Sequence, residues 1–188
     1  MAVLPILITG EPVLHRPATD VTDFGNILRT LVADMFETMA AAPGVGLAAP
    51  QVGVDLRVFV FDWTDDDDHS HRGVAVNPEL FVTPSPLRDP NEDDEAEGCL
   101  SVPGERYPLV RSARAILRAV DLDGKAFEIE ADGWLARIFQ HEYDHLDGIL
   151  YVDRLAHAWA KSVAKMVKKQ GWGVPGNSWM PGSDDIDA

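Results

Sequence analysis

Residues 132–148, DGWLARIFQHEYDHLDG, constrain the fold of this chain more than any other stretch. Asp132 is a favoured N-cap residue and Gly148 stands where helices commonly stop, so a helix is predicted over Trp134–Leu146. Trp134, Leu135 and Ile138 share one face of it, and His141 and His145 continue that face. The helix thus carries an apolar stripe that runs into two imidazoles one turn apart, with Glu142 beside them. Buried polar rings need partners, and one cation shared by both supplies it. The competing reading is a solvated helix face with two ordinary histidines, and the apolar residues before them count against it.

Two imidazoles leave a catalytic ion short of a ligand. In the extended zinc-protease pattern the third histidine would fall at position 151, which is Tyr151, and no glutamate follows Glu142. Both common protease arrangements are therefore disfavoured. The lone cysteine, Cys99, rules out an intramolecular disulfide and reads as buried filler, a nucleophile or a ligand. Because the helix lacks one donor, Cys99 is the natural candidate for it. A thiolate with two imidazoles leaves a fourth position open, as catalysis requires.

At 188 residues and 46% hydrophobic, the chain is long enough for one core and short for two domains. We expect one catalytic domain over residues 1–171 and an irregular, acidic, Gly/Pro-rich tail over 172–188. A net charge of −15 disfavours DNA and anionic membranes as partners. The N-terminus lacks the pattern of a secretory signal, which predicts a cytoplasmic protein, in the bacterial cytosol rather than an organelle. Phe24–Ala42 reads as a first helix through Ile27, Leu28, Leu31, Met35 and Met39. Leu56–Trp63 and Val74–Val82 read as strands with polar loop between. Residues 113–129 read as a hairpin around Asp123-Gly124, and Arg154–Gln170 as a third helix. The acidic runs Asp65–Asp68 and Glu92–Glu97 read as solvated surface.

Three segments in order, GVGLAAPQ at 44–51, EGCLS at 97–101 and QHEYDHLDG at 140–148, resemble the signature motifs of peptide deformylases. The likeness extends from GEPVLHRPA through the third helix. It implies an α+β fold, with antiparallel sheets packed around a central HExxH helix and a C-terminal helix. It implies removal of the formyl group from nascent formyl-Met peptides, with Cys99, His141 and His145 binding one divalent metal. Iron(II) is the family's usual ion, and zinc, nickel or cobalt are often accepted. Glu142 would act as general base and then acid. Gln51 and the Leu100 N–H would stabilise the oxyanion. Val45, Gly46 and Gly98 would pair with the extended peptide. Trp134, Arg137 and Ile138 would wall the methionine pocket.

Two other readings compete. A zinc endopeptidase is invited by HExxH and opposed by its missing ligand; a catalytically dead binding module is opposed by the intact site residues. Separately, Arg154, Lys161, Lys165, Lys168 and Lys169 make the third helix basic, which suggests docking on the ribosome.

Overall fold

A computed structural model describes residues 2–184. It is α+β, with nine strands and three α-helices among the described residues. In chain order these are β1 (Ile6–Leu7), α1 (Asn26–Ala41), β2 (Gly46–Ala48), β3 (Val58–Thr64), β4 (Ser70–Val82), β5 (Ala96–Cys99) and β6 (Val102–Pro108). There follow β7 (Arg114–Val120), β8 (Ala126–Asp132), α2 (Gly133–Leu146), α3 (His157–Gln170) and β9 (Ser178–Trp179). Five strands form an antiparallel sheet in the order β2-β3-β4-β7-β8, and β5-β6 and β1-β9 form separate pairs.

The sequence alternation sorts the two faces of the large sheet. Phe59 and Phe61 of β3 pack with Phe139, Leu135 and Ile138 of α2, while Val58 and Val60 point the other way. That second face meets Leu28, Val32, Met35 and Met39 of α1. Being covered on both sides, β3 reads as a continuous apolar run rather than an alternating one. The stripe on α1 differs in one respect from the spacing first assigned to it, because Ile27 is 83% exposed. One residue along a helix turns the side chain by roughly 100°, so the face through Leu28 leaves Ile27 outside it.

The β3–β4 hairpin extends further than expected into the polar segment, pairing Thr64 with Ser70. Its tip is closed by Asp65, whose carboxylate accepts the N–H groups of Asp67 and His69 at 3.0 and 2.8 Å. The predicted third helix begins at His157, and Arg154 lies in a preceding 3-10 turn. There Arg154 donates to Asp144 at 2.6 and 2.5 Å, so it is no member of a free basic face. Lys161, Lys165, Lys168 and Lys169 are all exposed.

The tail is less irregular than its composition suggests. Its backbone is clamped to the N-terminal segment: Ile8 N–H donates to Asn177 O and Gly173 N–H to Thr9 O, each at 3.0 Å. Trp179 is buried in the same core as α1. Residues 185–188 lie outside the described residues.

Candidate metal centre and reaction cleft

Cys99 ends β5, where the pairing with β6 shifts register, and Leu100-Ser101 is the tight connection that follows. His141 and His145 come from the middle and end of α2. The fold brings their donor atoms, one sulfur and two ring nitrogens, to within 4.8 Å of one another. Cys99 Sγ lies 3.3 Å from His145 Nε2 and also accepts the Ser101 N–H at 3.4 Å. The donor set suits a divalent cation, being three ligands of intermediate softness with room for a fourth group. Glu142 Oε2 is buried with no partner among the described residues, as befits a carboxylate that serves a group outside the chain.

Burial raises the Glu142 carboxyl to about 7, with Glu97 and Asp144 adding to the rise and His141 and Arg111 opposing it. A cation held by the three donors would pull it down again. His145 is shifted the other way: burial, then the neighbouring His141, holds its ring neutral, which is the form that ligates. Burial also works against charge on His141, but Cys99 and Glu97 outweigh it.

Beneath these ligands lies an ion network that corrects the reading of Glu92–Glu97 as solvated surface. Glu97 is only 3% exposed. It accepts from Arg111 at 2.9 and 3.0 Å and from Arg137 at 2.6 Å, and its Oε2 lies 3.0 Å from His141 Nδ1. Arg111 reaches Asp144 at 2.6 Å. Burial by itself would raise the Glu97 carboxyl, yet hydrogen bonds from His141 and Arg111 hold it well below the ordinary carboxylate range. An ionised Glu97 puts the His141 proton on Nδ1 and leaves Nε2 free for an ion. Glu97, Arg111 and Asp144 were missed in the sequence. The available signal was that Glu97 stands two residues before Cys99, on the same face of one strand.

A cleft of about 490 Å³ opens over this centre. Of the residues anticipated from sequence, Val45, Gly46, Gln51, Gly98, Cys99, Leu100, Trp134, Arg137, Ile138, His141 and Glu142 line it. His145 is buried beneath, at 1% exposure. Arg137 lines the cleft with its guanidinium committed to Glu97 and the Leu109 carbonyl, so it offers wall rather than free charge. Gln51 is oriented by its own backbone: Oε1 accepts the Ala48 N–H at 2.8 Å, and Nε2 is thereby aimed towards Ser101 Oγ and Cys99 Sγ, at 3.3 and 3.8 Å. Gly46 has a reason beyond backbone access for substrate. A Cβ there would sit 2.3 Å from Glu142 Oε1, so only glycine leaves that carboxylate where it is.

One cysteine sulfur and two imidazoles around one point, with a buried carboxylate from the same HExxH helix in a peptide-sized cleft, define a metal-dependent hydrolase. The profile of the polypeptide deformylase family matches residues 3–161. The chain belongs to the peptide deformylase family, and its activity is removal of the formyl group from the N-terminal formylmethionine of nascent proteins. A peptide deformylase of Rhodococcus opacus is 50% identical over 187 residues, 97% of this chain and 95% of that one. One from Mycolicibacterium paratuberculosis is 51% identical over 97% of this chain and 96% of its own. Among solved structures, a peptide deformylase from Legionella pneumophila superposes with TM-score 0.75 at 40% identity, covering 90% of this chain and 96% of that chain. One from Synechococcus elongatus, in complex with actinonin, gives 0.76 at 33% identity, covering 93% and 91%.

Proposed function

We propose that Cys99, His141 and His145 hold one divalent ion, iron(II) by resemblance, and that Glu142 moves the proton of the reaction. The observation that carries this reading is the convergence of one sulfur and two ring nitrogens within 4.8 Å, beside a buried carboxylate. When bound, the ion would acidify a water and polarise the formyl carbonyl. Glu142 takes the proton from the attacking water and returns it to the departing amine. The Gln51 side-chain amide and the Leu100 N–H meet the negative charge that forms on the formyl oxygen.

The edges of β2 and β5 support a track for the peptide. Among the described residues each strand has only one hydrogen-bonded neighbour, and Val45, Gly46 and Gly98 line the same cleft. An extended peptide can add between them through backbone bonds, which ignore side-chain identity and suit an enzyme serving many nascent chains. Trp134, Arg137 and Ile138 wall the pocket for the methionine side chain.

Purified protein is expected to release formate from a formyl-Met peptide, to stop with a strong chelator, and to recover when iron(II), zinc, nickel or cobalt is restored. An internally cleavable peptide without a formyl group should be untouched. Endoproteolysis, or formate release indifferent to chelation, would sink the reading.

No described helix is long and apolar enough to cross a membrane, and we place the work in the cytoplasm, close to the ribosome. Lys161, Lys165, Lys168 and Lys169 form no ion pair among the described residues, which supports α3 as the docking element. Neutralising all four is expected to abolish low-salt cosedimentation with ribosomes. Unchanged cosedimentation would retire the docking idea.

A further inference from the structure

The family profile matches residues 3–161, and a side chain beyond that stretch reaches the Leu100-Ser101 connection. Trp179 Nε1–H donates to the Leu100 carbonyl at 2.8 Å, and the indole is only 6% exposed. The next carbonyl, Ser101 O, accepts the Thr9 N–H at 2.9 Å. Thr9 is itself bracketed by the tail, through the bonds from Gly173 to Thr9 and from Ile8 to Asn177. The packing there is close enough that a Cβ on Gly10 would lie 2.4 Å from Val174 N. Tail, N-terminal segment and the Leu100-Ser101 connection are therefore each hydrogen-bonded to the other two.

We propose that Trp179 is a positioning residue for the reaction, acting through Leu100. The inference rests on the reading of the Leu100 N–H as an oxyanion donor. Leu100 carries its N–H and C=O on either side of one Cα. With the carbonyl held by the indole, the Leu100–Ser101 peptide plane cannot turn without breaking that bond, and the backbone that carries the Leu100 N–H at the cleft wall is restrained with it. The same connection sends the Ser101 N–H to the ligand sulfur of Cys99, so the pin steadies two groups at once. Among the described residues the hydrogen bond of the indole goes to Leu100 and not to the peptide track at Val45, Gly46 and Gly98. Its loss should consequently appear in the chemical step and not in substrate binding.

The test replaces Trp179 with β-(3-benzothienyl)alanine, which keeps the ring's shape and removes only the N–H donor, alongside Trp179→Phe. Ser178→Ala, on the same strand, is the control. With a formyl-Met peptide, kcat is expected to fall about tenfold in both Trp179 variants, equivalent to about 1.4 kcal/mol of transition-state stabilisation. KM and bound metal should stay within twofold of wild type, and Ser178→Ala should match wild type throughout. A kcat within twofold of wild type in the benzothienyl variant would overturn the proposal, as would a rise in KM with kcat intact. Wild-type formate release in the same assay separates this from the underlying reading, since its absence would remove both.

Discussion

Glu142→Ala is expected to bind its metal as wild type does and to lose about 10³-fold in turnover. The carboxylate stands outside the three-donor cluster, so the ion has no reason to leave. If Glu142 carries the proton as proposed, its removal forfeits general base and general acid together, a contribution that typically spans roughly 10²–10⁴ in rate. Folding should not suffer in proportion. Glu142 is 4% exposed, with one oxygen unpartnered and its pKa raised by burial, features that cost stability in the native state. Formate release, elemental analysis and thermal unfolding on one preparation check all three statements. A variant that keeps a tenth of wild-type turnover would show that another group carries the proton.

Glu97→Ala should be the most damaging single change to the fold. It takes from Arg111 and Arg137, whose side chains are 6% and 10% exposed, the carboxylate they share, leaving Arg111 to Asp144 and Arg137 to Glu95 and the Leu109 carbonyl, and it removes the partner of His141 Nδ1. Breaking a buried ion pair by deleting one member costs about 3–5 kcal/mol, because the other charge stays buried. For a chain of this size that lowers the unfolding midpoint by roughly 6–20 °C. The metal should bind about 10–100-fold more weakly, since His141 loses the acceptor that orients its ring. The pH dependence has a definite sign. The folded-state pKa of Glu97 lies below its ordinary 4.5, so its contribution is present at neutral pH and is lost as the pH falls from about 4.5 through the depressed value. The variant should lack that acid-side loss. Urea unfolding at pH 7 and pH 4 measures it, and a difference below about 1 kcal/mol at pH 7 would mean that the network is dispensable.

What could be read from the residues was what local rules determine. The helix that carries the two histidines was legible because its apolar residues and its histidines obey one period, and the β7–β8 hairpin because Asp123-Gly124 marks a turn between alternating strands. The β5–β6 pair was not. The segment EAEGCLSVPGERYP has two prolines, two glycines and several charges where a strand normally shows alternation. What holds it is Glu97 pairing with Arg111, Arg137 and His141, residues 14 to 44 positions away, and no local pattern encodes that. Arg154 misled for the same reason: a basic residue next to a basic helix looks like surface until Asp144 is found against it. The β1–β9 pair is two residues long on each strand and joins opposite ends of the chain, so neither periodicity nor propensity could announce it.

That last pairing has a bearing on the order in which the molecule is made. Ile6 and Leu7 are synthesised well before their partners Ser178 and Trp179, with the large sheet and all three helices encoded between them. Until then the Leu100 carbonyl has no indole to bind, however well the large sheet has already set. A chain devoted to trimming the beginnings of other proteins thus completes its own loop only after the body that frames it has been made.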